Sequence, residues 1–323
     1  MDKVLKFKEI GDTGLRVSDI CFGTAPLAGM PETFGYDVDE ERAAETISAI
    51  LDSGVNFIDT SNNYGDGRAE ERLGRVFAAR GGLPEGMVLS TKLDRDPKTG
   101  RFDADRARAS LEESLTRLGL DRVHLLHLHD PEWARDLDEI TVMGGALDTL
   151  FAMKDEGLCD ATGLAMGRLD LMGELLDHGP FDAIISHNRM TLLNRSADAL
   201  FDRAEARGIA ILNAAPYASG ALAKGADAGR VAYQKPSGTE RERIAAIEAA
   251  CARHGVPMGA AALDFSRSDP RVTSTIVGIS KPGRVAETLD WAATHIPDAL
   301  RAELAVIDHA TDDPEAGRDL RAT

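Results

Sequence analysis

The chain has 323 residues, 43% of them hydrophobic, enough to bury a large core. It carries 37 Lys and Arg against 54 Asp and Glu, a formal charge of −17. That balance argues against a nucleic-acid or anionic-membrane partner, both of which need net positive charge, but it leaves room for a local basic pocket.

Three cysteines, Cys21, Cys159 and Cys251, are odd in number and far apart. They give neither a disulfide framework nor a Cys-x-x-Cys metal knuckle. The opening residues, MDKVLKFKEI, hold no apolar run of signal-peptide type, and no window approaches the apolar length of a membrane span. The expectation is a cytoplasmic protein of a reducing compartment.

In chain order, short apolar runs alternate with amphipathic ones. A short strand is expected at 19–22. A helix follows at 40–51, with Ala44, Ile47, Ala49 and Ile50 on or near one face. Strands follow at 55–58 and 87–90, then a helix in which Leu111, Leu115 and Leu118 recur at spacings of four and three. Further strands are expected at 123–128, 161–164, 183–185, 209–212 and 275–277, each separated from the next by a helix. Continuous apolar runs suit strands buried on both faces, and strands alternating with helices mean a parallel sheet. Eight such units in a chain of this length predict an α/β fold, a closed (β/α)8 TIM barrel in a single domain spanning about 7–310. The long irregular piece at 215–238 reads as a functional lid. The polar tail at 311–323 reads as a frayed terminus.

In a parallel barrel the working groups lie at the C-terminal strand ends. Those ends supply Asp59, Lys92 and His129, and Tyr64 lies in the loop just past Asp59. An ammonium beside a phenol favours the phenolate, a carboxylate holds the ammonium, and an imidazole orients a carbonyl oxygen. Such a site gives a proton to a carbonyl or takes one from an alcohol, and a hydride carrier must accompany it. Taken singly, an Asp at a strand end is commonly a cap and a Tyr is commonly packing. Their joint occurrence at successive strand ends carries the reading.

His127 and His129 share one side of a strand and could start a zinc shell, the mark of a metal-dependent barrel hydrolase. No later cluster completes it, His187 being the one late strand-end candidate, so no metal is expected.

The segments IGDTGLRVS at 10–18, CFGTAPL at 21–27 and GVNFIDTSNNYGDGRAEERLG at 54–74 resemble the aldo-keto reductases, as do STK at 90–92 and HLHDP at 127–131. With NAAPY at 213–217, the wording is similar to the branch of aldose 1-dehydrogenases and pyridoxal dehydrogenases. The resemblance runs from about 7 to about 295. It implies an NAD(P)-dependent oxidoreductase acting on a small carbonyl or sugar substrate. In it Tyr64 is the general acid/base, Lys92 lowers its pKa, Asp59 pairs with Lys92 and His129 orients the carbonyl.

The resemblance also implies an extended NADPH or NADH, and a Gly-x-Gly-x-x-Gly after a strand is indeed absent. Ser219 and Gly220 would fold over the pyrophosphate. Gly278, Ser280, Arg284 and Glu287 fall in the stretch that would hold the adenosine half. Where many members carry Ser-Asn for the nicotinamide amide, this chain has Ala165-Met166, leaving Ser186 or Asn188 as candidates. The aromatic that commonly stacks on the nicotinamide is not evident near Asn213 and Ala214. The lysine and serine that clamp a 2′-phosphate map onto Gly278 and Ile279. Lys281 and Arg284 could still reach a phosphate, and the balance leans to NAD over NADP. Tyr36 and Trp133 are expected to line the substrate pocket. A non-catalytic, cofactor-binding regulatory barrel is the main competing reading.

Overall fold

Eight strands close in sequence order into a parallel barrel, seen in a computed structural model that describes residues 5–227 and 229–315. An antiparallel hairpin comes first, β1 (Phe7–Glu9) and β2 (Arg16–Ser18). The barrel strands are β3 (Ile20–Gly23), β4 (Phe57–Asp59), β5 (Val88–Leu93), β6 (Leu125–His129), β7 (Ala161–Ala165), β8 (Ala183–His187), β9 (Ala210–Ala214) and β10 (Val272–Gly278). β10 pairs with β3 and shuts the sheet. Every expected strand is present. The hairpin was not foreseen. It packs Ile10 and Val17 against the inward-facing Cys21, Phe57, Val88 and Leu125 and seals the end of the barrel away from the strand C-termini.

Strand alternation divides the core in two. Ile20, Phe22, Ile58, Leu89, Leu126, Leu128, Leu164 and Ile184 face the helices in one large cluster. The inward set is small where polar groups need space. Gly163 lies level with His127, and a Cβ there would stand 2.2 Å from the imidazole Cδ2. The helix Glu40–Leu51 has the expected bounds and begins with the Asp39 carboxylate accepting the Arg42 N–H. It buries Ala43, Thr46, Ile47 and Ile50, a face turned slightly from the expected one.

The piece after β9 is not structureless. It holds a short helix, Ala221–Lys224, and bridges Gly220 to Arg230 and Val231 to Gln234 before the Ser237 capping box opens the helix Gly238–Arg253.

The start of the C-terminal tail is a correction. Ala310 exchanges backbone hydrogen bonds with Leu193 and Arg195, and the Arg189 guanidinium donates to Asp313 at 2.7 Å and Glu315 at 3.1 Å. Residues 311–315 are therefore pinned across the barrel mouth, because a buried arginine needs carboxylate partners. The rest of the tail lies outside the described residues. No helix among the described residues is long and apolar enough to cross a membrane.

Candidate active site

At the C-terminal end of the barrel a cavity of about 1400 Å³ opens between the strand ends and the following loops. Its floor is polar because β4 and β6 end on inward-facing Asp59 and His129 and β5 carries inward-facing Lys92 one residue before its end. The Lys92 ammonium donates to both Asp59 oxygens at 2.9 and 2.8 Å, to the Thr60 carbonyl at 2.5 Å and to the Tyr64 hydroxyl at 3.3 Å. Lys92 is 2% exposed, so the carboxylate is what keeps a cation at this depth. The loop that delivers Tyr64 turns at Gly65, whose φ is +61° and where a Cβ would stand 2.5 Å from the Ala28 carbonyl. The glycine allows both the backbone angle and the close approach.

Burial pushes the Tyr64 phenol well above its ordinary pKa, and Lys92 offsets only part of the rise. Burial pulls the Lys92 ammonium down, but Asp59 and the phenol outweigh it and the net shift is upward. The chain thus presents a protonated phenol touching a charged amine. The His129 ring stands edge-on to Tyr64, with centroids 5.9 Å apart and planes at 85°. His127, one layer deeper, is driven well below its usual pKa by burial and by the nearby charge of Lys92. It packs on Gly163 as a neutral ring. Among the described residues no group of three His, Cys, Asp or Glu side chains has metal-binding geometry.

Asp94 and Glu132 are among the side chains at this end that were not foreseen. Asp94 is fully buried with its carboxylate on His129 Nδ1 at 2.8 Å. Its signal was available, since it follows Lys92 by two residues and so returns to the same side of the strand. Glu132 accepts backbone N–H groups from Gly167 and Arg168 at 2.8 and 3.2 Å. Burial and the Asp130 charge push its carboxyl up to about 7. Trp133 lines the cavity beside it, with the Arg95 guanidinium 6.0 Å from its ring centroid.

The other arm of the cavity gathers Ser219, Gly220, Gly278, Ser280, Arg284 and Glu287. Lys224 and Lys281 line it too, and among the described residues no carboxylate pairs with either. Arg284 is held by Glu287 and lies over the Trp291 ring at 4.8 Å. Tyr36 belongs to this arm. Burial raises its phenol, a side-chain hydrogen bond with Ser280 offsets part of the rise, and Lys224 stands 5.5 Å from its ring centroid. The reason is that Arg230 donates to the Thr33 carbonyl at 2.9 Å and ties the loop before Tyr36 to the loop after β9.

The two nicotinamide-amide candidates separate. Ser186 shares strand parity with outward-facing Ile184, so its hydroxyl is buried away from the cavity, while Ile185 and His187 face in. Asn188 accepts from the Ser219 hydroxyl at 3.0 Å, and its amide hydrogen-bonds the Tyr233 phenol. Tyr233, from the loop after β9, reaches the same corner with its ring 6.0 Å from His187. Burial is the main reason its phenol is pushed up to about 12. An amide at the strand end, two lysines that no carboxylate pairs with among the described residues and a long groove leading to Tyr64 suit an extended nicotinamide dinucleotide.

Residues 19–308 match the model of the aldo/keto reductase family. The chain is 30% identical to an L-galactose dehydrogenase of Arabidopsis thaliana over 288 residues, covering 88% of this chain and 87% of that protein. It is 30% identical to a D-threo-aldose 1-dehydrogenase of a Pseudomonas species over 319 residues, covering 90% and 94%. An aldo-keto reductase of Bacillus halodurans, solved in its holo form, has the same fold, with a TM-score of 0.76 at 19% identity over 98% of this chain and 100% of that one. The chain belongs to the aldo/keto reductase family and is an NAD(P)-dependent oxidoreductase.

Proposed function

We propose that the enzyme oxidises an aldose at its anomeric carbon to the lactone, with NAD as the preferred carrier, and that Tyr64 handles the proton. The observation that carries the reading is the contact chain from Asp59 through Lys92 to Tyr64, opening on a pocket walled by Trp133, Glu132 and Arg95. An aromatic ring flanked by a carboxyl group and a guanidinium suits a hydroxyl-rich ring better than a plain aldehyde. The similarity to L-galactose and D-threo-aldose dehydrogenases supports the same substrate class.

The substrate oxygen would lie within reach of the Tyr64 hydroxyl and the cavity-facing nitrogen of His129. Toward the lactone, the phenolate form of Tyr64 takes the hydroxyl proton; toward the alcohol, the phenol returns it. Lys92 stabilises the phenolate at 3.3 Å, and Asp59 keeps the ammonium aimed. The dinucleotide, when bound, accepts or supplies the hydride. Asn188 would hold its amide, Ser219 and Gly220 its pyrophosphate, and Gly278, Ser280, Arg284 and Glu287 its adenosine half. Glu287 places a carboxylate on Arg284, which disfavours a 2′-phosphate and supports NAD.

Initial rates on L-galactose, L-fucose, D-arabinose, pyridoxal and simple aldehydes, each with both carriers, test this. Sugar-dependent formation of reduced nicotinamide, faster with NAD, is expected. Carrier binding without turnover on any of these would favour a regulatory barrel instead.

A further inference from the structure

Asp94 lies just beyond the end of β5, two residues after Lys92. The β5–β6 register sets Lys92 beside His127 and Leu93 beside Leu128, so Asp94 comes level with His129. The carboxylate is immobilised on every side. Its Oδ1 meets His129 Nδ1 at 2.8 Å, and its Oδ2 accepts from the Ser61 hydroxyl at 2.6 Å and the Asn63 N–H at 3.1 Å. Its own backbone N–H donates to Ser110 Oγ at 2.9 Å.

An ionised carboxylate only accepts hydrogen bonds, so the hydrogen in the Asp94 contact sits on Nδ1 of the ring. The Ser61 oxygen also lies 3.2 Å from Nδ1, but its own hydrogen is committed to Asp94. Nε2 is therefore the nitrogen left for the substrate. A neutral ring with its single hydrogen on Nδ1 would turn a lone pair toward the reacting oxygen and could not donate to it. A ring protonated on both nitrogens would donate from Nε2 and bring a positive charge as well.

We infer that Asp94 is a positioning residue that holds His129 as an imidazolium, so that a cationic Nε2–H faces the reacting oxygen. This rests on the reading of Tyr64 and His129 as the groups that meet that oxygen. The charged and titratable groups facing His129 are Lys92 from β5, Asp94 just after it, Asp130 from its own turn, Tyr64 from the loop after β4, and His127 from its own strand. Asp130 Oδ2 lies 3.5 Å from Nε2 and favours a hydrogen there. Burial opposes the cation, yet Asp130 and Asp94 together outweigh it and the ring's pKa is raised. Lys92 also opposes, but its charge is matched by Asp59. The proton that joins the oxygen during reduction comes from Tyr64. His129 keeps both of its hydrogens and ends the cycle unchanged.

The test is ring-nitrogen NMR of the whole enzyme, with the His129 signals identified by their loss in His129→Gln. Wild type is expected to carry hydrogen on both ring nitrogens at neutral pH, with a midpoint above the ordinary histidine value of about 6.5. In Asp94→Asn the midpoint is expected to fall by about 1–3 units, the usual effect of removing a contacting opposite charge. The alkaline limb of kcat for carbonyl reduction should fall with it. Asp94→Glu should restore part of the shift, and dinucleotide affinity should not change. An unprotonated Nε2 in neutral wild-type enzyme, or equal midpoints in wild type and Asp94→Asn, overturns the inference. If Asp94→Asn does not fold, the wild-type spectrum alone decides. Absence of turnover on every carbonyl would instead remove the reading of the site and leave the NMR result standing.

Discussion

The Asp59 carboxylate and the Lys92 ammonium form a two-pronged pair, 2.9 and 2.8 Å, with both side chains almost wholly buried. Deleting one partner strands a charge in the barrel, which costs about 3–5 kcal/mol. Asp59→Asn and Lys92→Met should each lower stability by that order in chemical denaturation. The double variant should lose less than the sum of the two, because neither charge is then left alone. Full additivity would contradict the pairing.

Glu132 predicts a pH dependence of stability. Its folded-state carboxyl is raised to about 7, above the unfolded value of about 4.3. Between those values the folded chain holds a proton that the unfolded chain has released, so stability falls as pH rises through the window. Glu132→Gln keeps an acceptor for Gly167 and Arg168 but removes the titration. Its melting temperature relative to wild type should therefore improve from pH 5 to pH 8. A gap that is the same at both pH values would contradict this.

Arg189 is fully buried, and its guanidinium ties Asp313 and Glu315 to the barrel mouth. Arg189→Met should open residues 311–315 to limited proteolysis, because the charge-assisted hydrogen bonds to Asp313 and Glu315 are lost. A tail as protected as in wild type would contradict the anchoring.

In the proposed dinucleotide site the Arg284–Glu287 pair would bear on carrier choice. Glu287→Gln removes the carboxylate and frees the guanidinium, so the ratio of NADP to NAD affinity should rise several-fold. Trp291, which stacks against Arg284, supplies the fluorescence readout. An unchanged ratio would show that the pair does not set the preference.

The barrel was legible because parallel strands buried on both faces read as unbroken apolar runs, and eight of them alternate with helices. Asp59, Lys92 and His129 were legible because strand ends are where a barrel works. The hairpin before β3 was not, since its short strands carry mixed polarity and only the tertiary seal makes sense of Ile10 and Val17. Ser186 was a plausible donor by position, but strand parity turned it outward. Asp94 and Arg189 escaped for opposite reasons. Asp94 shows its parity with Lys92 in the sequence, whereas Arg189 finds Asp313 and Glu315 more than a hundred residues away. Only the closed fold brings that contact about.

The role proposed for the Tyr64 hydroxyl is to carry the proton of the reaction. The most direct measurement is steady-state turnover of Tyr64→Phe at saturating carrier, alongside its dinucleotide Kd from tryptophan fluorescence. A fall in kcat of about 10²–10⁴ is expected, the usual worth of a positioned acid or base, with Kd within about twofold of wild type. Turnover near the wild-type rate would contradict it.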